Sequence, residues 1–198
     1  MKFGFTSKTI GYVFLAVVFL LYGLGTYWSF EPSELDIRAE VFNDAKAENI
    51  TPVVGYTTTT ALIRVSETLL NKPGGYLSND ALPPSVFLDN IPAWEFGVLE
   101  MVRDLSLIMR KDFSRSQSQS LEDEYLKKVH PLLNIDHRSW AMPSAEGEYA
   151  DAIELLYAYR TALSDPQNPS QFYARTDNLR DWLNQASRRL GSYSQRLS

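Results

Sequence analysis

"TIGYVFLAVVFLLYGLGTYWSF", residues 9–30, decides how the rest of the chain is read, because these 22 residues carry no charge. As a helix rising about 1.5 Å per residue, the stretch covers the ~30 Å hydrocarbon layer of a bilayer. Lys2 and Lys8 precede it, and Glu31, Glu34 and Asp36 follow it. The basic-flank rule therefore puts the N-terminus in the cytoplasm and the remainder across the membrane. Tyr27, Trp28 and Phe30 then fall at the far interface, where aromatic rings are favoured. A cleaved secretory leader is the competing reading, since Gly23 and Gly25 imitate a small-x-small cleavage site. The anchor is preferred because bulky Tyr27 and Trp28 follow those glycines at once and the apolar run overshoots a leader's usual core. Both readings export the body.

Outward from this stretch the chain divides into a cytoplasmic N-terminus (1–8), a transmembrane anchor (9–30), a stalk or linker (31–55) and a periplasmic helical domain (56–198). All 24 Asp and Glu lie beyond Phe30, together with 17 bases (the 19 Lys and Arg less Lys2 and Lys8), so the exported body carries about −7. The imbalance is local: residues 31–100 hold 11 acids and 4 bases, whereas residues 101–198 hold 13 of each. A body without a basic footprint is not built for nucleic acid. The chain has no cysteine, which excludes thiol nucleophiles and thiolate metal sites while leaving an oxidising compartment open.

The body reads as helix. Residues 31–52 are charged and mixed and predict a short helix or stalk. In "YTTTTALIRVSETLLNKPGG" Thr58, Leu62, Val65 and Leu69 recur at spacings of 4, 3 and 4, one helical face, ended by Pro73, Gly74 and Gly75. A second helix starts with Pro92 in its first turn and presents Trp94, Val98, Met101, Leu105 and Ile108. A third carries Leu121, Tyr125 and Val129 and is ended or kinked by Pro131. A fourth, capped by Ser144 and stopped before Pro166, turns Ala152, Leu155, Leu156, Tyr159, Ala162 and Leu163 inward. The last shows a heptad seam of Leu179, Leu183, Ala186, Leu190, Tyr193 and Leu197. That seam still runs at Leu197, as expected of a fragment or of a helix that closes against a partner. No segment alternates long enough for a sheet. The expected class is all-α: a single N-terminal transmembrane helix followed by a periplasmic bundle of about five helices.

Between the first two helices of the body, "NKPGGYLSNDALPPSVFLDNIP" is a connection longer than the ~12 to 15 residues usual in compact domains, and such loops are often functional. Tyr76, Leu77, Val86, Phe87 and Leu88 are too apolar for a solvated linker, and predict packing on the bundle or on another protein. The candidate contact residues are thus Tyr76, Leu77, Phe87 and Leu88 in the loop, and Leu179, Leu183, Leu190, Tyr193 and Leu197 on the seam.

Motifs of catalysis are sparse. His130 and His137 in "HPLLNIDH" form neither an i,i+4 pair nor an HExxH arrangement, so they read as surface or capping residues. No GxSxG marks a serine nucleophile, and "KPGGY" lacks the remainder of a phosphate loop. Glu95, Glu100, Glu146 and Glu148 are candidates for paired carboxylates in sugar cleavage, although any acidic helical protein offers such pairs. "SRSQSQS" reads as a polar connector that could instead bind an anion. No catalytic, cofactor-binding or metal residue is assigned, and no cofactor is expected.

The blocks "NKPGGYLSND", "DNIPAWEFGVLEMVRDL", "DFSRSQSQSLEDE", "QFYARTDNL" and "RLGSYSQRLS" resemble a proteobacterial family of single-span membrane proteins known as a domain of unknown function. The resemblance implies a Gram-negative inner-membrane protein facing the periplasm, in a family some of whose members extend further than this chain. It transfers no catalytic residue. The function expected is that of a binding, scaffolding or accessory subunit of an envelope complex. Its partners are the bilayer through residues 9–30, other membrane or periplasmic proteins and, where the seam pairs with itself, a second copy of the chain. The alternative is a periplasmic cell-wall hydrolase using paired glutamates.

Overall fold

The computed structural model describes residues 7–115 and 121–197, with side chains as far as Arg196. Lys2 and Ser116 to Ser120 of the serine-arginine run lie outside the described residues. Seven α-helices follow one another among them: α1 (Ser7–Trp28), α2 (Ile37–Glu48), α3 (Tyr56–Asn71), α4 (Asn90–Ile108), α5 (Leu126–Leu133), α6 (Ala145–Ser164) and α7 (Thr176–Leu197). A 3-10 turn at Ser85–Phe87 sits in the long loop, and a π-helical turn, Met109–Phe113, continues α4. No strand forms among the described residues; only Trp140 and Ser144 make an isolated bridge. The all-α class stands, and the helix beyond the expected five is α2.

Local chemistry sets most of the boundaries. The Asp36 carboxylate accepts from Arg38 N and Ala39 N at 3.0 and 3.1 Å and starts α2. Asn49, in the left-handed region at φ 53°, ends it. Ser144 caps α6 as expected, its hydroxyl accepting from Gly147 N at 3.2 Å, and the helix stops at Ser164, before Pro166. The third helix of the body starts later than expected. Asp123 accepts from Tyr125 N and Leu126 N at 2.9 and 3.1 Å, which fixes the start of α5 at Leu126 and leaves Leu121 exposed. Pro131 does not end that helix, which runs on to Leu133 with Pro131 inside it.

The core lies between α3, α4, α5 and α6, with Leu62, Ile63, Leu99, Leu126, Leu133 and Leu156 all fully buried. Two expected faces are rotated. In α4 the deepest row is Ile91, Glu95, Leu99, Val102 and Ser106, while Trp94, Val98, Met101 and Leu105 flank it half-buried. In α3, Leu62 and Leu69 are core as expected, but Thr59, Thr60 and Ser66 are buried and Thr58 and Val65 flank them. Polar side chains at the deepest positions interrupt the apolar rows and move the apparent stripe to one side. They tolerate burial because each finds a partner. Ser66 Oγ donates to Leu62 O at 2.8 Å, Thr59 Oγ1 donates to Gly55 O at 2.9 Å, and Thr60 Oγ1 accepts from Arg160 at 2.9 Å.

The segment read as a short helix or stalk contains a helix, α2, bound to the body by charge. Arg160, fully buried on α6, donates to Asp44 and Glu48 of α2 at 2.5 Å each. Its guanidinium lies over the rings of Tyr56 and Tyr157 at 4.7 and 5.0 Å. Arg64 on α3 reaches Glu40, Asp44 and Glu67 at 2.9, 2.6 and 2.9 Å. Planar guanidinium forks suit such multiple carboxylate contacts. Phe113 stacks on Phe172 at 4.9 Å, and Tyr173 N donates to Phe113 O at 2.6 Å, which brings the chain after α6 back against the bundle. Gly55, at φ 92°, lets the Phe172 ring approach where a Cβ would be only 2.4 Å from it.

Candidate functional site

The long loop between α3 and α4 is two structures in one. Its first half is locked into the body. Glu95, fully buried, accepts from Leu77 N and Ser78 N at 2.8 Å each, from the Ser78 hydroxyl, and from Lys72 Nζ at 2.5 Å. Lys72 also donates to Gly75 O. Asn79 Nδ2 donates to Ser139 O and Glu146 at 2.9 and 2.8 Å, and Tyr76 OH donates to His137 O at 3.1 Å while its ring packs edge-on against Tyr149. Tyr76 and Leu77, two of the candidate contact residues, are buried in the body, because the buried carboxylate fixes the backbone of residues 77 and 78 and turns both side chains inward.

The second half does the opposite. Leu82 and Phe87 are 76% and 78% exposed, Val86 is exposed too, and Leu88 is half-buried. This tip lies against α1. Pro84 and Leu88 meet Gly25, where a Cβ would stand 3.3 Å from Pro84 Cβ, and the Trp28 ring covers Gly74, where a Cβ would come within 2.7 Å. Gly74 is needed for this contact and for its φ of 86°, whereas a Cβ at Gly25 would ask Pro84 to give by a few tenths of an ångström. Phe87 and Leu88 line an apolar groove between the loop and the inner turns of α1. That helix is long and apolar enough to cross a membrane and is almost wholly uncovered by the rest of the protein.

A second apolar surface runs along α7. Leu179, Leu183 and Leu190 are 46%, 52% and 61% exposed. The helix is held from its neighbouring face, where Arg189 pairs with Glu100 and Asp104 at 2.6 and 2.7 Å and Trp182 packs on the core. At about 100° per residue the three leucines form one stripe, roughly 80° round the helix from Trp182, Arg189 and Tyr193. Tyr193 is half-buried on the held side, and the Leu197 side chain lies outside the described residues.

The residues weighed for catalysis are engaged elsewhere. Glu95 and Glu146 hold the loop, and Glu100 binds Arg103 and Arg189 at 3.0 and 2.6 Å. Glu148 sits with Glu146 in the first turn of α6, the end of a helix where negative charge is favoured. Among the described residues no group of three His, Asp or Glu is gathered as a metal set. His130 Nδ1 lies 3.2 Å from the Ser106 hydroxyl, and His137 lies against the Phe96 ring.

Burial, then Arg110, Lys111 and Arg103, hold His130 below the usual imidazole range. Burial, then Arg138 and Arg103, do the same for His137 against the opposing pull of Asp136. The unfolded chain therefore takes up these protons first as pH falls. The stability that the neutral rings contribute is complete above about pH 6.5 and is lost as pH falls through their lower folded values. The melting temperature is expected to drop between pH 7 and 5.5, and less so in a His130→Gln, His137→Gln double variant. Equal drops in both proteins would assign the effect to other groups.

Sequence reasoning missed the two buried charged centres, Glu95 with Lys72 and Arg160 with Asp44. The signal was present: Glu95 stands four residues from both Ile91 and Leu99, and Arg160 four residues after Leu156, each a charge on an inward row. Among known proteins, the family described as "Uncharacterized protein conserved in bacteria (DUF2333)" matches residues 2–198. No curated protein and no solved structure matches the chain.

Proposed function

We propose a function from one premise: the chain belongs to DUF2333, a family of proteins conserved in bacteria and not characterised. The protein is a membrane-anchored helical module of the bacterial envelope that binds another protein through the leucine stripe of α7. The observation that carries this is the exposure of Leu179, Leu183 and Leu190 along one face of a helix that is itself fastened to the body by ion pairs. An apolar face that the fold leaves uncovered is the usual mark of a binding surface.

The anchor is α1. Its contacts with the body, Trp28 on Gly74 and Gly25 against Pro84, support a retained span over a leader that is removed. The acidic residues Glu31, Glu34 and Asp36 after the helix, and Lys8 in its first turn, favour a cytoplasmic start and a periplasmic body. The partner helix is an amphipathic one, laid along the stripe in the manner of a coiled-coil neighbour.

The test uses the full chain, gently solubilised from membranes. Leu183→Glu with Leu190→Glu is expected to weaken recovery of the bound protein at least about 100-fold, because each leucine lost from an interface removes about 1.5–3 kcal/mol. Thermal unfolding of the body should not change, since both side chains face solvent. A lone monomer recovered from unmodified membranes, or binding that survives both substitutions, would overturn the proposal.

A further inference from the structure

We propose that the loop tip from Leu82 to Leu88 enters the bilayer beside α1, so that the body is attached to the membrane at two points. This rests on α1 being a span, and its ligand is the acyl layer of the lipid itself. Residues 81–88, "ALPPSVFL", carry no charge and are bounded by Asp80 and Asp89, which mark the limits of the inserted segment. Leu82 and Phe87 are largely exposed and Val86 is about half exposed.

Depth follows from the contacts with α1. Pro84 and Leu88 touch Gly25, three residues before Trp28 and hence about 4.5 Å deeper than the ring that marks the interface. The groove between tip and helix, about 470 Å³, extends along α1 to Val18, with Leu21, Tyr22 and Phe87 among its walls. Val18 is ten residues before Trp28, about 15 Å further in. Whatever fills this groove therefore lies at the level of lipid chains, and the surrounding faces of α1 are open to the same medium.

Each backbone group satisfied internally lowers the cost of placing a non-helical segment in hydrocarbon. Part of the tip is satisfied in this way. Pro83 and Pro84 have no N–H. Phe87 N donates to Pro84 O at 3.0 Å, Leu88 N to Ser85 O at 2.9 Å, and the Ser85 hydroxyl to Leu82 O at 2.5 Å. The half of the loop before the tip is clamped by Glu95 and Glu146, so the apolar residues are held outward and do not collapse onto the bundle.

Because the chain has no cysteine, single-site labelling needs no background removed. Phe87→Cys, Val86→Cys, Tyr22→Cys and Trp140→Cys forms of the full chain would be labelled with an environment-sensitive nitrobenzoxadiazole dye. They would then be reconstituted in phosphatidylethanolamine and phosphatidylglycerol vesicles containing lipid spin-labelled at mid-chain, with iodide as the aqueous quencher on both sides. The dye at 87 and 86 is expected to be quenched by spin-labelled lipid within two-fold of the dye at 22, and at least five-fold more than at exposed Trp140. Quenching at 22 by lipid but at 87 and 86 only by iodide would overturn the inference and leave the span intact. Loss of lipid quenching at 22 as well would overturn the span and the inference together. Protection of 87 and 86 from both quenchers would place a second copy in the groove and overturn it too.

Discussion

Replacing Arg160 with Ala is expected to lower the unfolding free energy by about 3–4 kcal/mol and to release α2 from the body. The side chain is fully buried, donates to Asp44, Glu48 and Thr60, and stacks between two tyrosines. Truncation removes all of these at once and leaves a cavity. The loss stays below the largest known for broken buried pairs, because the carboxylates are not stranded. Asp44 keeps Arg64 at 2.6 Å, and Glu48 is one-third exposed to water and keeps the Tyr56 hydroxyl at 3.1 Å. Arg160→Met is expected to cost less, about 1–2 kcal/mol, since it fills the volume and discards Nε, a buried donor with no acceptor. Hydrogen exchange of the full chain in detergent micelles checks the local part. Amides of residues 37–48 should lose protection in the Ala variant while those of α6 keep most of theirs. An Ala variant within 1 kcal/mol of the parent would mean that α2 is held by Arg64 alone.

The same centre explains why some of the fold is legible in the sequence and some is not. Helix existence follows from apolar spacing and from breakers, and the ends at Ser144, Ser164 and Asn71 follow from a cap, a proline and a Pro-Gly-Gly run. Spacing fails where a polar residue takes the deepest position. Glu95 and Ser106 in α4 make the true inward row look mixed, and the neighbouring row of Trp94, Val98, Met101 and Leu105 looks purer while being only half-buried. The docking of α2 is invisible for a related reason. It depends on the length and fork geometry of Arg64 and Arg160, residues 20 and 116 positions from Asp44, and no local pattern encodes such a pairing. In the long loop, apolar content alone could not divide Tyr76 and Leu77, which are core, from Leu82 and Phe87, which are exposed. The division is made by Glu95, whose carboxylate captures the first half. The leucines of α7 were legible as a stripe because nothing polar interrupts them, and they remain uncovered because the ion pairs to Glu100 and Asp104 hold the helix by its adjacent face.

Glu95→Ala is expected to be the most damaging single substitution in the protein, at about 4–5 kcal/mol. Four donors converge on this carboxylate in a site closed to water: Leu77 N, Ser78 N, the Ser78 hydroxyl and Lys72 Nζ. Truncation leaves all four without it and maroons an ammonium that retains only Gly75 O. Lys72→Met removes the other half of the pair at less cost, about 2–3 kcal/mol, because Glu95 keeps three donors and Met occupies much of the vacated space. The asymmetry distinguishes a carboxylate that organises the backbone from a simple ion pair, in which either deletion would cost the same. Adding Lys72→Met to Glu95→Ala should restore part of the stability, since the stranded charge disappears, but not all of it, since the two amides stay unpaired. The local consequence reaches the contact with α1. With residues 77 and 78 released, the Leu82–Leu88 tip is no longer held against Gly25, and the loop should become the first site of proteolytic cleavage. Urea unfolding of the four proteins, read as a double-mutant cycle, supplies the test. Equal losses for the two single variants, or full recovery in the double variant, would refute a primary role for the backbone amides of Leu77 and Ser78.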